Sequence, residues 1–344
     1  MLEGAIISMQ KRRIRHSMSL IALTIILLAS LYISVTTGPI KMTLAEVLDA
    51  LMRQGSLLNI KVIWELRLPR AIMAVFVGAG LTVAGVGMQA LFKNPMASPY
   101  ILGLSSGAAF GAALAMVLGL SFLPGNFGVP SMAFIFCFLT LMIVYSIARG
   151  HGRIPVETLL LAGIAVGAFF SALVNLLTYL ARDELAGIVY WMMGDLVQFG
   201  WTNVQSVMPL IAIGVAVIYY YARDLNAMML GDNHAMNLGI DVSRVRLYVL
   251  LACALVTAAA VSFVGIIGFV GLVIPHMIRL IVGPDHRILI PASLLAGSSF
   301  LVICDVLSQI VLYPASLPIG ILTALIGAPY FIYLLRRRRR EIGW

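Results

Sequence analysis

Ala71-Ile-Met-Ala-Val-Phe-Val-Gly-Ala-Gly-Leu-Thr-Val-Ala-Gly-Val-Gly-Met-Gln-Ala-Leu-Phe92 runs without a single charged side chain. A helix needs about 20 apolar residues to cross roughly 30 Å of hydrocarbon. The stretch meets that length and reads as a membrane-spanning helix. The chain repeats the pattern on both sides, with apolar runs at 18–37, 99–122, 128–148, 157–181, 204–222, 246–263, 266–282, 288–311 and 317–335. Across 344 residues the composition is 61% hydrophobic and 11% charged, whereas a soluble domain carries about 25% charge. The expected architecture is an all-α integral membrane protein, a single domain over 1–344 with about ten transmembrane helices. The first run follows Lys11-Arg12-Arg13-Ile14-Arg15 and lacks a small-x-small exit, so it reads as a retained helix rather than a signal peptide.

Ten spans put both termini on one side, and charge selects which. Lys11, Arg12, Arg13, Arg15, Lys93, Arg149, Arg153, Arg223, Arg244, Arg246, Arg279, Arg287 and Arg336 to Arg340 fall on the side of the termini, seventeen of the 23 basic residues. Lys41, Arg53, Lys61, Arg67, Arg70 and Arg182 fall on the other. The positive-inside rule then makes both termini cytoplasmic. A net charge of +9 dispersed over many loops suits anionic lipid headgroups and argues against nucleic acid. Two outer segments carry their own patterns. Leu44, Val47, Leu48 and Leu51 share a helical face, and Tyr190-Trp191-Met192-Met193 suits a short interfacial helix.

No catalytic set emerges. Gly-Lys-Ser/Thr is absent, so the chain has no loop to cradle ATP phosphates. The five histidines (16, 151, 234, 276 and 286) lie at or near the cytoplasmic face without H-E-x-x-H spacing. Cys137, Cys253 and Cys304 are scattered in apolar runs and form no metal or disulfide framework. Asp305 is the one acid deep within a span. It reads as a structural acceptor for a neighbouring helix. Gly103, Gly107 and Gly111 recur every fourth residue, a stripe that reads as close helix packing rather than a substrate lining.

The largest inner loop holds a duplication. Asp224-Leu-Asn-Ala-Met-Met-Leu-Gly231 is followed at once by Asp232-Asn-His-Ala-Met-Asn-Leu-Gly239. Each unit puts Asp at a helix N-cap position and Gly at C′, which predicts two short helices and a sharp bend. Met228 and Leu230 recur as Met236 and Leu238. Either these side chains pack on the protein's own helices or another protein covers them.

The chain resembles the FecCD-like permeases, membrane subunits of ABC importers for iron-siderophore complexes, haem and vitamin B12. The resemblance runs from about 40 to 336. It rests on Leu66-Arg67-Leu-Pro-Arg70, on Gly87-Met-Gln-Ala-Leu-Phe-Lys-Asn94-Pro95-Met96-Ala-Ser-Pro99 and on Tyr190-Trp-Met-Met-Gly194. It also rests on Phe269-Val-Gly-Leu-Val-Ile-Pro-His-Met-Ile-Arg279 and Leu317-Pro-Ile-Gly-Ile-Leu-Thr-Ala-Leu-Ile-Gly-Ala-Pro329. It implies a multi-pass protein of the cell (inner) membrane with a second permease subunit, two ATP-binding subunits and an extracytoplasmic substrate-binding protein. ATP and Mg would sit on the ATPase, with no cofactor or metal on this chain, and the chain would be a transport subunit rather than an enzyme.

The resemblance also implies roles. Asp224, Met228, Leu230, Gly231, Asp232, Met236, Leu238 and Gly239, within loop 224–243, would dock the ATPase. Arg67 and Arg70 would meet acids of the binding protein, where Gln309 replaces a family arginine. Gly167, Ser171 and Asn175 would line the path, and Asn94, Pro95 and Met96 would form the inner gate with Val156 and Glu157. A metal chelate is the expected cargo, an iron-siderophore complex first, then haem or cobalamin. The alternatives are an oxyanion cargo or an ion-gradient-driven secondary transporter, which the scarcity of intramembrane carboxylates disfavours.

Overall fold

The computed structural model describes all residues except 1, 39, 121–126, 150–154, 182, 197–199, 343 and 344; the side chains of 2–13, 335 and 337–342 are likewise outside the description. His151, Arg153, Arg182 and the side chains of Lys11, Arg12, Arg13 and Arg337 to Arg340 therefore lie outside it.

Among the described residues all regular secondary structure is helical. In chain order the helices begin α1 (Leu2–Thr36), α2 (Leu44–Leu51), α3 (Leu57–Lys61), a π-helical segment Val62–Arg67, α4 (Leu68–Leu91) and α5 (Leu104–Val117). Next come α6 (Gly128–Ala148), α7 (Val156–Leu180), α8 (Leu185–Met193), α9 (Trp201–Tyr220), α10 (Ala222–Met229) and α11 (Asp232–Asn237). The chain closes with α12 (Val242–Val264), α13 (Val270–Val282), α14 (His286–Ile310) and α15 (Ile319–Ile342).

Every expected span has a helix, but they are not equal. Seven segments are long and apolar enough to cross a membrane, and α5, α13 and the apolar part of α15 are shorter. The span expected over 99–122 is broken by Gly103, whose φ of 75° ends a 3-10 turn at Pro99–Leu102 before α5 begins. Left-handed backbone cannot continue a right-handed helix, and glycine adopts it without a Cβ penalty. The span expected from 266 starts only at Val270, because Gly265 and Phe269 also take positive φ.

The core is built around α4. It packs on α14, α12, α13 and α9 and is buried along almost its full length. Small residues allow this. A Cβ on Gly85 would collide with the backbone of Gly271 on α13. The Gly107–Gly111 stripe does the same on α6, meeting Thr140 and Met132, so it is a packing surface.

On the α2 side the expected apolar face divides. Val47 and Ala50 are buried with Ile63, while Leu44 and Leu48 are exposed. A Thr43–Glu46 capping box fixes the start of α2, and those hydrogen bonds hold the Glu46 carboxyl below its usual range.

Candidate functional site

The duplicated segment folds as two short helices, α10 and α11, and both turn at glycine. Gly231 has φ 124° and Gly239 has φ 83°, as the C′ positions require. The aspartates are not N-caps. Only Tyr221 interrupts the helix between α9 and α10, so α10 starts at Ala222 and Asp224 falls in its first turn. Gly231 stands at the cap of α11, and Asp232 is its first residue. Acids there still favour the helix dipole.

The apolar side chains of the duplication split between the two readings. Leu225, Met228 and Ala235 are buried against the bundle. Leu230 is 72% exposed and Leu238 68%, with Met229 and Met236 also exposed beside them. The inward residues anchor the unit, and the outward ones form an apolar face without cover. Asn226 secures α10 further. Its amide donates to Asp285 Oδ1 at 2.8 Å and accepts from the His286 backbone at 2.9 Å. Asp285 caps α14 and bonds Arg287, whose guanidinium holds its carboxyl well below the usual range. Asp-His-Arg ahead of an apolar run was a legible cap signal; its contact with α10 was not.

Asp232 does more than start a helix. It accepts from Lys93 Nζ at 2.7 Å and from Arg246 at 2.9 Å. Partial burial pushes its carboxyl up, but the hydrogen bonds from these two cations outweigh it, and the net shift is downward. Lys93 lies in the turn after α4 with φ 48°, beside Asn94, whose side chain accepts from the Met96 backbone at 3.0 Å. Asn94, Pro95 and Met96 line a cavity of about 350 Å³ together with Met229, His276, Arg279 and Phe331. Val156 and Glu157 do not line it; they form the start of α7, with Glu157 exposed. The expected gate residues thus fall in two places, the 94–96 turn, whose cavity is shared with side chains of α10, α13 and α15, and the start of α7.

On α7 the three expected path residues part company. Gly167 is buried against Gly103. Ser171 donates to Ser106 Oγ at 3.1 Å, and Asn175 is exposed. Asn175 shares its open stripe with Ile164, Phe169, Leu176 and Tyr179.

At the opposite end of α4 the two arginines face inward. Arg67 is buried and donates to the carbonyls of Val35 (2.7 Å), Thr36 (3.1 Å) and Ile40, closing the end of α1. Arg70 pairs with buried Asp305 at 2.8 Å, and Gln309 donates to the same carboxylate at 3.0 Å. These residues were expected at a docking rim. In the structure, carbonyls at the end of α1 and a carboxylate in apolar surroundings take their guanidinium donors. Asp305 is a structural acceptor, as expected.

The model of the FecCD transport family matches residues 26–337. The cobalamin import system permease protein of Halobacterium salinarum is 43% identical over 80% of this chain and 74% of its own. The hemin transport system permease protein of Yersinia pestis is 42% identical, over 81% and 84%. The vitamin B12 import system permease protein of Klebsiella pneumoniae is 38% identical over 96% of both chains. A solved inward-facing ABC transporter, provisionally assigned to the metal-chelate type, superposes with a TM-score of 0.83 at 33% identity, covering 92% of this chain and 98% of its own.

Proposed function

The chain belongs to the FecCD transport family, and on that premise we propose that it carries a metal chelate into the cell as the membrane subunit of an ABC importer. The observation that carries the reading is the open apolar face of α10–α11. Leu230, Met236 and Leu238 stand exposed beside a unit that is otherwise firmly anchored. Exposed apolar side chains on short helices suit a cleft in a partner, as in helix-in-groove recognition. The partner is an ATP-binding subunit, because this chain has no phosphate-cradling loop of its own.

The rest of the assembly follows from the same reading. The protein lies in the cell (inner) membrane, both termini are cytoplasmic, and α10–α11 and the 94–96 turn face the cytoplasm. A second permease subunit meets the open stripe of α7, so that Asn175 faces the path. Two ATPase subunits bind at α10–α11, and a substrate-binding protein docks at the end near α2 and α3. Alternating access moves the cargo. The relatives are named for cobalamin, hemin and Fe(3+) dicitrate. These are bulky metal-centred organic complexes, and an iron-siderophore complex is the first cargo to test here, then haem or cobalamin.

The test is co-purification followed by transport. The chain expressed with its ATPase should emerge from detergent as a complex, and proteoliposomes with binding protein should accumulate the chelate only with ATP inside the cytoplasmic compartment. ATP hydrolysis by this chain free of other chains, or chelate uptake driven by an ion gradient alone, would refute the reading.

A further inference from the structure

We propose that Asp232 is a positioning residue that ties the docking helices to the inner gate turn, through the Lys93–Asp232–Arg246 bridge. This rests on α10–α11 being the ATPase-docking unit.

The bridge joins three separate elements. Lys93 belongs to the turn after α4, Asp232 to α11 and Arg246 to α12. Arg246 is largely buried on a helix whose body is core, so it acts as a fixed post. Lys93 is the end that reaches the gate turn. It sits in left-handed backbone and directly precedes the Asn94–Met96 turn, which closes on itself through Asn94. Left-handed φ is unfavourable for a residue with a Cβ and needs support from its surroundings. The ion pair to Asp232 supplies an anchor for that position. A second contact runs the same way, since Met229 of α10 lines one cavity with Asn94, Pro95 and Met96.

Stability does not explain the Lys93 arm of the bridge. Lys93 and Asp232 are each 38% exposed, and half-exposed ion pairs contribute little to folding. Geometry does: tilting α11 either carries the 93–96 turn with it or breaks the pair. A link between two sites requires an element whose arrangement both sites bias, and the 93–96 turn is the element on which the bridge would act.

The complete importer in proteoliposomes tests it, with cargo moved per ATP hydrolysed as the readout. Lys93→Gln should keep the ATPase bound and lower that ratio about fivefold or more. Asp232→Asn should lower it similarly, and the double variant should be no worse than either single one. Lys93→Arg, which keeps the pair, should restore it. Wild-type stoichiometry in Lys93→Gln would overturn the proposal, as would fully additive losses in the double variant. So would an Asp232→Asn defect that merely follows ATPase dissociation, because Asp232 would then serve docking alone. Failure of the docking reading itself looks different: Met236→Asp with Leu238→Asp would leave the ATPase bound.

Discussion

Arg70 and Leu230 lie at opposite ends of the bundle, and each is out of place by the ordinary rules. A guanidinium is mostly buried at one end, and a leucine is mostly exposed at the other. At the Arg70 end the buried charges among the described residues are answered within the chain. Arg67 closes the carbonyls of α1, and Arg70, Gln309 and Asp305 satisfy one another. At the α10–α11 end the apolar side chains remain open. A resolved irregularity is a structural device, and an open one points to a missing partner. The arginines matched a family motif and looked like docking residues, yet the structure spends their donors internally.

The largest effect should come from breaking the resolved end. Arg70→Met leaves Asp305 as a buried carboxylate without its cation, at a cost of about 3–5 kcal/mol. Thermal unfolding in detergent should show a large loss, and Arg70→Met with Asp305→Leu should recover most of it. Equal stability of Arg70→Met and wild type would move Arg70 back to the rim.

The open end should behave in the opposite way. Met236→Asp with Leu238→Asp should leave thermal unfolding unchanged, because both side chains are already exposed. Association with the ATPase should weaken by about 2–4 kcal/mol, since charge would be forced into an apolar contact. Pull-down and titration against the ATPase would separate the two effects. Lost stability with intact association would invert the comparison.

The smallest effect sharpens the contrast within the open end, between its anchors and its face. Asp285→Ala removes the cap of α14 and the bond to Asn226, at about 1 kcal/mol. Its pH dependence has a fixed sign. The folded carboxyl titrates below its ordinary value, so its contribution is full above about pH 5, fades as pH falls through about 4, and is lost at the folded value. Unfolding scans from pH 8 down to pH 4 should show a constant gap between the wild type and Asp285→Ala down to about pH 5 and only its first narrowing at the acid end.

Most of the architecture was legible because a span announces itself by length and apolarity alone. Each expected run became a helix, and Gly231 and Gly239 ended α10 and α11 where the duplication placed them. Most of the misses are long-range. Nothing near Arg70 in the chain names Asp305, and nothing near Asp232 names Lys93. Local pattern also misplaced the start of α10, because the Asp signal at 224 was overridden by a helix already running through Tyr219 and Tyr220. The surroundings of Gly167 were hidden for the same reason: only tertiary packing reveals that it faces Gly103.

The enclosed position of α4 has a consequence for biosynthesis. It is made early, yet α9, α12, α13 and α14, which surround it, are encoded more than a hundred residues later. While the chain is being made, α4 must enter the bilayer on its own hydrophobicity, with its glycine-notched faces turned to lipid. Its sequence therefore answers two demands at different times. Valine, leucine and methionine secure insertion of the newborn helix, and the glycines wait for neighbours that arrive later. A bulky substitution at Gly85 would pass the first stage and fail the second, giving a chain that inserts normally and is then cleared by quality control.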